Sequence, residues 1–331
     1  MSALKRNLED KVVVITGASA GVGRAVSYAF AKQGAHLGII SRNEGRLLSL
    51  KKELQPFNRK VAIVALDVSD PNELDRAATT FEKELGPIDI WINNAMVSVF
   101  SPIKEMTPQE YRRVTEVTYL GVVYGTLAAL KRMLPRDKGV IIQVGSALAY
   151  RGIPLQSAYC AAKHAVQGFH DSLLTELLHD KSHVKVSMIQ LPALNTPQFD
   201  WARSRMSKKA QPVPPIFQPE VAADAILWAV QHYRREYVVG FSSWKAIYGN
   251  NFFPSWADKF LARVGYKSQQ TDEQKEIDQP DNLFDSVSGS FGAHGRFDER
   301  AKRRSLFFLF TKHQTTIYFL LLLVLIIFLL L

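Results

Sequence analysis

Cysteine is nearly absent: Cys160 is the only one in 331 residues. That excludes an intramolecular disulfide framework and a multi-cysteine metal site, and makes a reducing compartment the default. Also missing, in the body of the chain, is any run of basic residues interleaved with stacking aromatics. The net charge of +10 therefore does not point to nucleic acid, and an anionic membrane surface or an anionic cofactor fits it better. The N-terminus carries no secretory signal, because MSALKRNLED is polar and charged and the apolar VVVITGA behind it is short and runs into glycines. No internal repeat is visible. What is present, 47% hydrophobic against 22% charged residues, excludes a chain disordered throughout and is ample for a sizeable core.

Charge is absent again at the far end, where Thr315 to Leu331 reads TTIYFLLLLVLIIFLLL. Its apolar residues cover every face rather than one stripe, and as a helix it would span roughly 26 Å against a hydrocarbon core of about 30 Å. A transmembrane helix over 313–331 is therefore predicted. Upstream, Arg296, Arg300, Lys302, Arg303, Arg304 and Lys312 face only Asp298 and Glu299, and such a basic flank stays on the cytoplasmic side. The expectation is a membrane protein with a single-pass C-terminal anchor and its catalytic bulk facing the cytoplasm. Residues 266–312, polar through SQQTDEQKEIDQPDN and then basic, read as a tether. The phenylalanine-rich patch Leu306 to Phe310 is either an interfacial anchor or a packing element.

Between Lys11 and about Gly240, short β-branched runs alternate with helix-length stretches. The runs are 12–18, 36–41, 61–68, 88–95, 139–146 and 184–191, continuous and bounded by turn formers as strands buried on both faces should be. Helical pattern fills Gly23–Gln33 and Pro108–Met133, and strict alternation implies right-handed crossovers. The fold class expected is α/β, a doubly wound parallel sheet of Rossmann-like form with helices on both faces, occupying a domain of residues 1–265. Six prolines between Pro192 and Pro219 argue for a long loop there, a lid or substrate wall. A helix over 220–232 and a last strand at Tyr237–Gly240 close the pattern.

The first strand runs into Thr16-Gly17-Ala18-Ser19-Ala20-Gly21-Val22-Gly23 and then a helix. Glycines there let the backbone approach a pyrophosphate seated at the helix N-terminus. The second strand ends at Ser41-Arg42, where an acid would read the ribose of NAD. An arginine instead forks onto a 2′-phosphate, so NADP(H) is preferred over NAD(H), with Arg24 or Arg46 able to share the work. Tyr159 and Lys163 stand four apart, on one helix face, and Ser146 ends the strand before them. A tyrosine with an ordinary pKa near 10 needs a nearby cation to act at neutral pH. Lys163 would supply it while Ser146 holds the substrate oxygen. His179 and His183 share i,i+4 spacing but lack a third ligand for zinc and read as solvated surface. Cys160 reads as packing.

With TGASAGVG at 16–23, Asp67-Val68, Asn93-Asn94-Ala95, Ser146, YCAAK at 159–163 and PALNT at 192–196, the chain resembles a short-chain dehydrogenase/reductase over roughly residues 8–240. The resemblance implies reversible hydride transfer between a nicotinamide and a carbonyl or alcohol, Tyr159 giving the proton and Lys163 also holding the nicotinamide ribose. It implies a cofactor set of Thr16, Gly17, Ser19, Gly21, Val22, Gly23, Ser41, Arg42, Asp67, Val68, Asn93, Ala95, Pro192 and Thr196, together with Tyr159 and Lys163. Within it, Asp67 and Val68 flank the adenine, Asn93 and Ala95 line the cofactor, and Thr196 meets the carboxamide. Three positions depart from the family pattern. Met96 and Ala193 replace glycines, and Thr118 stands where a proton-relay asparagine is usual, its hydroxyl expected to serve the relay in the asparagine's place because it too can accept and donate. A homo-oligomer is implied as well. The expected function is thus an NADP(H)-dependent oxidoreductase acting on a small-molecule carbonyl or alcohol, a lipophilic one given the tail. The alternative is a membrane-tethered NADP(H)-binding sensor or scaffold without turnover.

Overall fold

The computed structural model of the protein describes residues 8–276 and 278–313. The elements in the first half are β1 Val12–Thr16, α1 Gly21–Lys32, β2 His36–Ser41, α2 Glu44–Leu54, β3 Val61–Ala65, α3 Pro71–Leu85, β4 Ile88–Asn93, β5 Val99–Phe100, α4 Pro108–Thr115, α5 Gly121–Met133 and β6 Val140–Ser146. After them come α6 Ser157–His179, β7 Lys185–Leu191, α7 Gln198–Trp201, β8 Arg203–Ser204, β9 Lys208–Ala210, α8 Pro219–Gln231, β10 Glu236–Val238, α9 Phe241–Phe252, α10 Pro254–Ser268 and β11 Gln270–Gln274.

The strands are apolar throughout because both faces are covered. Alternation along β1 sends Val13 and Ile15 into the cluster of Val26, Phe30 and Ile226 under α1 and α8, and Val12 and Val14 into the cluster of Ala77, Phe81 and Ala129 under α3 and α5. Seven strands form one parallel sheet in the order β10-β7-β6-β4-β1-β2-β3. The order reverses between β1 and β4, so a crevice opens at their carboxyl ends, where ligands bind in such folds. Helix starts follow local chemistry. Asp70 caps α3 by accepting from the amides of Asn72 and Glu73, with Pro71 at the first turn. Thr107 and Glu110 form a reciprocal capping box on α4.

The structure departs from the sequence reading in three places. The single helix expected over 108–133 is two, joined by a π-helical turn at Glu116–Leu120. In that turn Thr118 Oγ1 donates to the Val97 carbonyl and accepts from the Val97 amide. The proline-rich loop holds α7, β8 and β9, with β9 pairing antiparallel to β11. Residues 266–312 are no tether. α10 runs on to Ser268, and the chain then turns back over the body, burying Leu283, Phe297 and Phe308. Phe308 packs edge-on to Tyr237, and Lys312 Nζ meets Asp224 at 2.5 Å, so 306–313 is a packing element of the domain.

The expected membrane span, apart from its first residue, lies outside the described residues. Among those described, no helix is long and apolar enough to cross a membrane. This overturns the expectation of a single-pass C-terminal anchor with a cytoplasm-facing domain, and the backbone of the basic flank is bonded into the domain, the Lys302 amide donating to the Ile216 carbonyl and its carbonyl accepting from the Gln218 amide.

Candidate active site

Two cavities meet at the crevice. The first is lined by Gly17, Ser19, Gly21, Val22, Ser41, Arg42, Arg46, Leu66, Asp67, Val68, Asn94, Ala95 and Thr196. Its floor is the turn after β1. Gly17 has φ +66°, and a Cβ there would fall 2.8 Å from the Ala95 Cα, while one on Gly23 would fall 2.2 Å from the Gly17 carbonyl oxygen. Side chains are excluded at both positions by backbone. Thr16, buried at the end of β1, ties the turn to β4 by accepting from the amides of Asn94 and Ala95 at 3.0 and 3.1 Å.

At the other end of this cavity Arg42 lies 4.0 Å from Asp67, which is also paired with Arg113. Burial opposes the charge on Asp67, but hydrogen bonds from Arg113 and Ser69 outweigh it and hold the carboxyl below its ordinary pKa. For Arg42, burial dominates and lowers the pKa against the pull of Asp67. Of the two arginines able to assist Arg42, Arg24 is turned away, pairing with Glu53 and donating to the Ser19 carbonyl at 2.9 Å. Arg46 lines the cavity, its guanidinium 5.1 Å from the Trp201 ring.

The second cavity, about 550 Å³, has Ser146, Tyr159 and Lys163 in its wall with Pro192, Ala193 and Thr196. Ser146 ends β6, and its Oγ accepts from the Leu148 amide at 3.2 Å. Tyr159 and Lys163 lie in the first turns of α6, with Lys163 Nζ 5.7 Å from the centre of the Tyr159 ring. Lys163 is buried and donates to the Val144 carbonyl at 2.6 Å. Burial brings its pKa down to about 8. The same burial raises the Tyr159 phenol above its ordinary value, and a hydrogen bond with Ser146 pulls the other way without overcoming it. Lys163 therefore does not leave the Tyr159 phenol depressed. The phenol stands protonated at neutral pH, as a proton donor must.

Most of the remaining wall is apolar, from Leu148, Ile153, Leu191, Leu194, Phe199 and Val213 and from Phe253, Trp256, Phe260 and Leu261 of the α9–α10 region, with Arg151, Gln156, Gln211, Ser242, Ser243, Lys245 and Asn250 interspersed. Val22, Asn94, Met96, Thr196 and Gln198 border both cavities, so the two communicate.

Three expected site residues do not reach the cavities with their side chains: Thr16, whose hydroxyl is spent on β4 and the residues after it, Asn93 and Thr118. Asn93 is buried and bonded to Trp91, Thr126 and Gln143 inside the sheet layer. Its neighbour Asn94 faces the turn instead, donating to the carbonyls of Thr16 and Gly17. Thr118 is fully buried, with its hydroxyl spent on Val97. Sequence reasoning missed Asn94, Arg113, Trp201 and the α9–α10 wall. Only Asn94, inside the Asn-Asn-Ala motif, carried a signal.

Set beside known proteins, the chain matches the short chain dehydrogenase family over residues 11–206. It is 32% identical over 302 residues to the uncharacterized oxidoreductase YxnA of Bacillus subtilis, covering 91% of this chain and 84% of that one. With the fatty acyl-CoA reductase of Acinetobacter baylyi it shares 29% identity over 228 residues, 68% of this chain and 75% of the other. Among solved structures, an alcohol dehydrogenase from the archaeon Thermococcus sibiricus, complexed with 5-hydroxy-NADP, superposes with a TM-score of 0.60 at 25% identity. The match covers 69% of this chain and 95% of that one.

Proposed function

Because the chain belongs to the short-chain dehydrogenase family of oxidoreductases, we propose that it reduces a lipophilic carbonyl compound with NADPH, using Tyr159 as the proton donor. The observation that carries this reading is the junction of the two cavities. A largely apolar chamber of about 550 Å³ with Ser146, Tyr159 and Lys163 in its wall opens onto the glycine-turned cleft. A cofactor held in that cleft would supply the hydride to the carbonyl carbon. Ser146 would hold the substrate oxygen, and Tyr159, protonated at neutral pH, would pass its proton to that oxygen, leaving an alcohol. Lys163, whose Nζ lies 5.7 Å from the centre of the phenol ring, would steady the phenolate that remains until solvent reprotonates it.

Preference for NADPH is supported by Arg42 and Arg46 at the adenosine end, where a guanidinium fork matches a phosphate. The solved relative complexed with 5-hydroxy-NADP supports it as well. A lipophilic substrate is supported by the aromatic and aliphatic wall, and the likeness to a fatty acyl-CoA reductase points the same way. The test is a homologous series of aliphatic aldehydes and ketones with NADPH and with NADH. Each buried methylene is worth about 0.8 kcal/mol, so kcat/KM should climb roughly three- to fourfold per carbon until the chamber fills. A flat series would overturn the lipophilic assignment, and equal rates with the two nucleotides would overturn the NADPH preference.

A further inference from the structure

Residues 282–292 of this chain lie along the length of the nucleotide cleft, with their carbonyl oxygens bonded to the donors that cofactor phosphates would use. Arg42 Nη2 donates to the Asn282 carbonyl at 2.5 Å, and its Nη1 donates to that of Phe284 at 2.8 Å. Arg46 Nε donates to the Gly289 carbonyl at 3.0 Å and its Nη2 to that of Val287. Arg113 Nε donates to the Leu283 carbonyl at 2.9 Å. At the other end the amide of Gly21, on the first turn of α1, donates to the Gly292 carbonyl at 3.1 Å. Leu283 is fully buried in the apolar cluster that holds Leu66, Val68 and Val117, three residues of the cavity wall.

The segment is built to stay and to leave. Arg203 grips Asp281 at 2.8 Å before it, and buried Phe297 anchors the chain after it. Within residues 282–292 run Ser286, Ser288, Gly289, Ser290 and Gly292, and neither of these glycines has a tight neighbour around it, whereas Gly295, just before Phe297, is packed against the Thr196 backbone.

We infer that residues 282–292 are an intramolecular competitor of the dinucleotide that sets both its affinity and the margin by which NADPH is favoured over NADH. The inference rests on the cofactor reading above. Neutral carbonyls satisfy the guanidinium groups, but a phosphate dianion makes stronger, charge-assisted bonds to them. NADPH therefore displaces the segment, and its apparent affinity is reduced by the fraction of molecules in which the segment is seated. Both nucleotides must clear Leu283 and the Gly21 amide, whereas only NADPH must also win Arg42 and Arg46. The segment thus weighs more heavily on NADPH.

Two full-length variants test this. Leu283→Ser removes the apolar anchor and should tighten NADPH binding about tenfold, and NADH binding by less, by fluorescence titration. Asn43→Cys with Ser286→Cys pairs two side chains that touch at 3.4 Å. Oxidised, this variant should bind NADPH at least about tenfold more slowly than when reduced, and reductant should restore the rate. Weaker NADPH binding in Leu283→Ser would mean the segment clasps the cofactor and would overturn the inference. So would an equal gain for both nucleotides, or a cross-link without effect. If neither nucleotide binds even Leu283→Ser and the reduced pair, the cofactor reading falls too. If both bind and release changes nothing, only the competitor falls.

Discussion

At the nucleotide end of the cleft the walls are a glycine turn, short side chains and arginines, and the chain's own carbonyls cap the cations. At the substrate end, beyond Met96 and Thr196, leucine, phenylalanine and tryptophan make most of the wall, Ser146, Tyr159 and Lys163 converge at one place in it, and Arg151, Gln156, Gln211, Lys245 and Asn250 lie elsewhere in the lining. The first chamber must meet a charged, rigid ligand with donors at fixed points. The second needs only volume, apolar surface and one point of polar fixation. With that difference goes another: the arginine end is built from residues scattered over 240 positions, Arg42 and Arg46 reaching Asn282 through Gly289, while Ser146, Tyr159 and Lys163 sit within 18 residues of sequence.

The contrast can be broken from either side. Replacing Lys163 by alanine should have the largest effect among the following changes, lowering kcat/KM for reduction by about 10² to 10⁴ in steady-state assays. Its charge is lost as pH rises through about 8, so the wild-type kcat/KM should fall above that pH. In Lys163→Arg, whose charge persists, whatever activity remains should show no such fall. Reversing the charge at Arg42 with Asp should raise KM for NADPH about ten- to a hundredfold, the worth of charge-assisted bonds of roughly 1.5–3 kcal/mol. The same change should leave NADH far less affected, and an unchanged ratio would break the assignment of this end to a phosphate.

On the apolar side, Trp256→Ser should cut kcat/KM for long-chain substrates roughly tenfold while sparing short ones, by loss of buried apolar surface.

The smallest effect concerns His294. Burial works against its charge, but hydrogen bonds and charges from Glu220 and Asp298 prevail and raise its pKa. With a folded pKa above the ordinary value of about 6.5, this clasp is fully present below that pH and is lost as pH rises through the folded value. Proteolysis at Arg296 should quicken over that range in the wild type, and His294→Gln should flatten the dependence.

How much of this was readable from the sequence follows the same contrast. The glycine turn, the place of Arg42 in the first cavity and the convergence of Ser146, Tyr159 and Lys163 on the second were legible, because they rest on particular residue types at short spacings. Choosing between Arg24 and Arg46 was not, because Glu53, 29 residues from Arg24, decides where that guanidinium goes. Asn93 and Asn94 differ only in which way the end of β4 points them. The packed C-terminal segment was illegible for another reason. Phe308 sits in the apolar patch 306–310, for which packing was one of the two readings, but Leu283 and Phe297 stand 14 residues apart in polar sequence, with no periodicity, each filling a hole made by distant elements. Composition read such a stretch as a solvated tether. Thr118 belongs to the same class, since its partner Val97 is 21 residues away, across the turn after β4.

The central claim, that Tyr159 carries proton transfer in an NADPH-dependent reduction, is tested most directly by Tyr159→Phe. The measurement is NADPH affinity by fluorescence titration and NADPH oxidation with a long-chain carbonyl, on wild type and variant side by side. The account predicts matching affinity for NADPH and turnover that falls by at least about a hundredfold in the variant. Turnover equal to that of the wild type would contradict it, as would tight NADPH binding by both proteins with oxidation by neither.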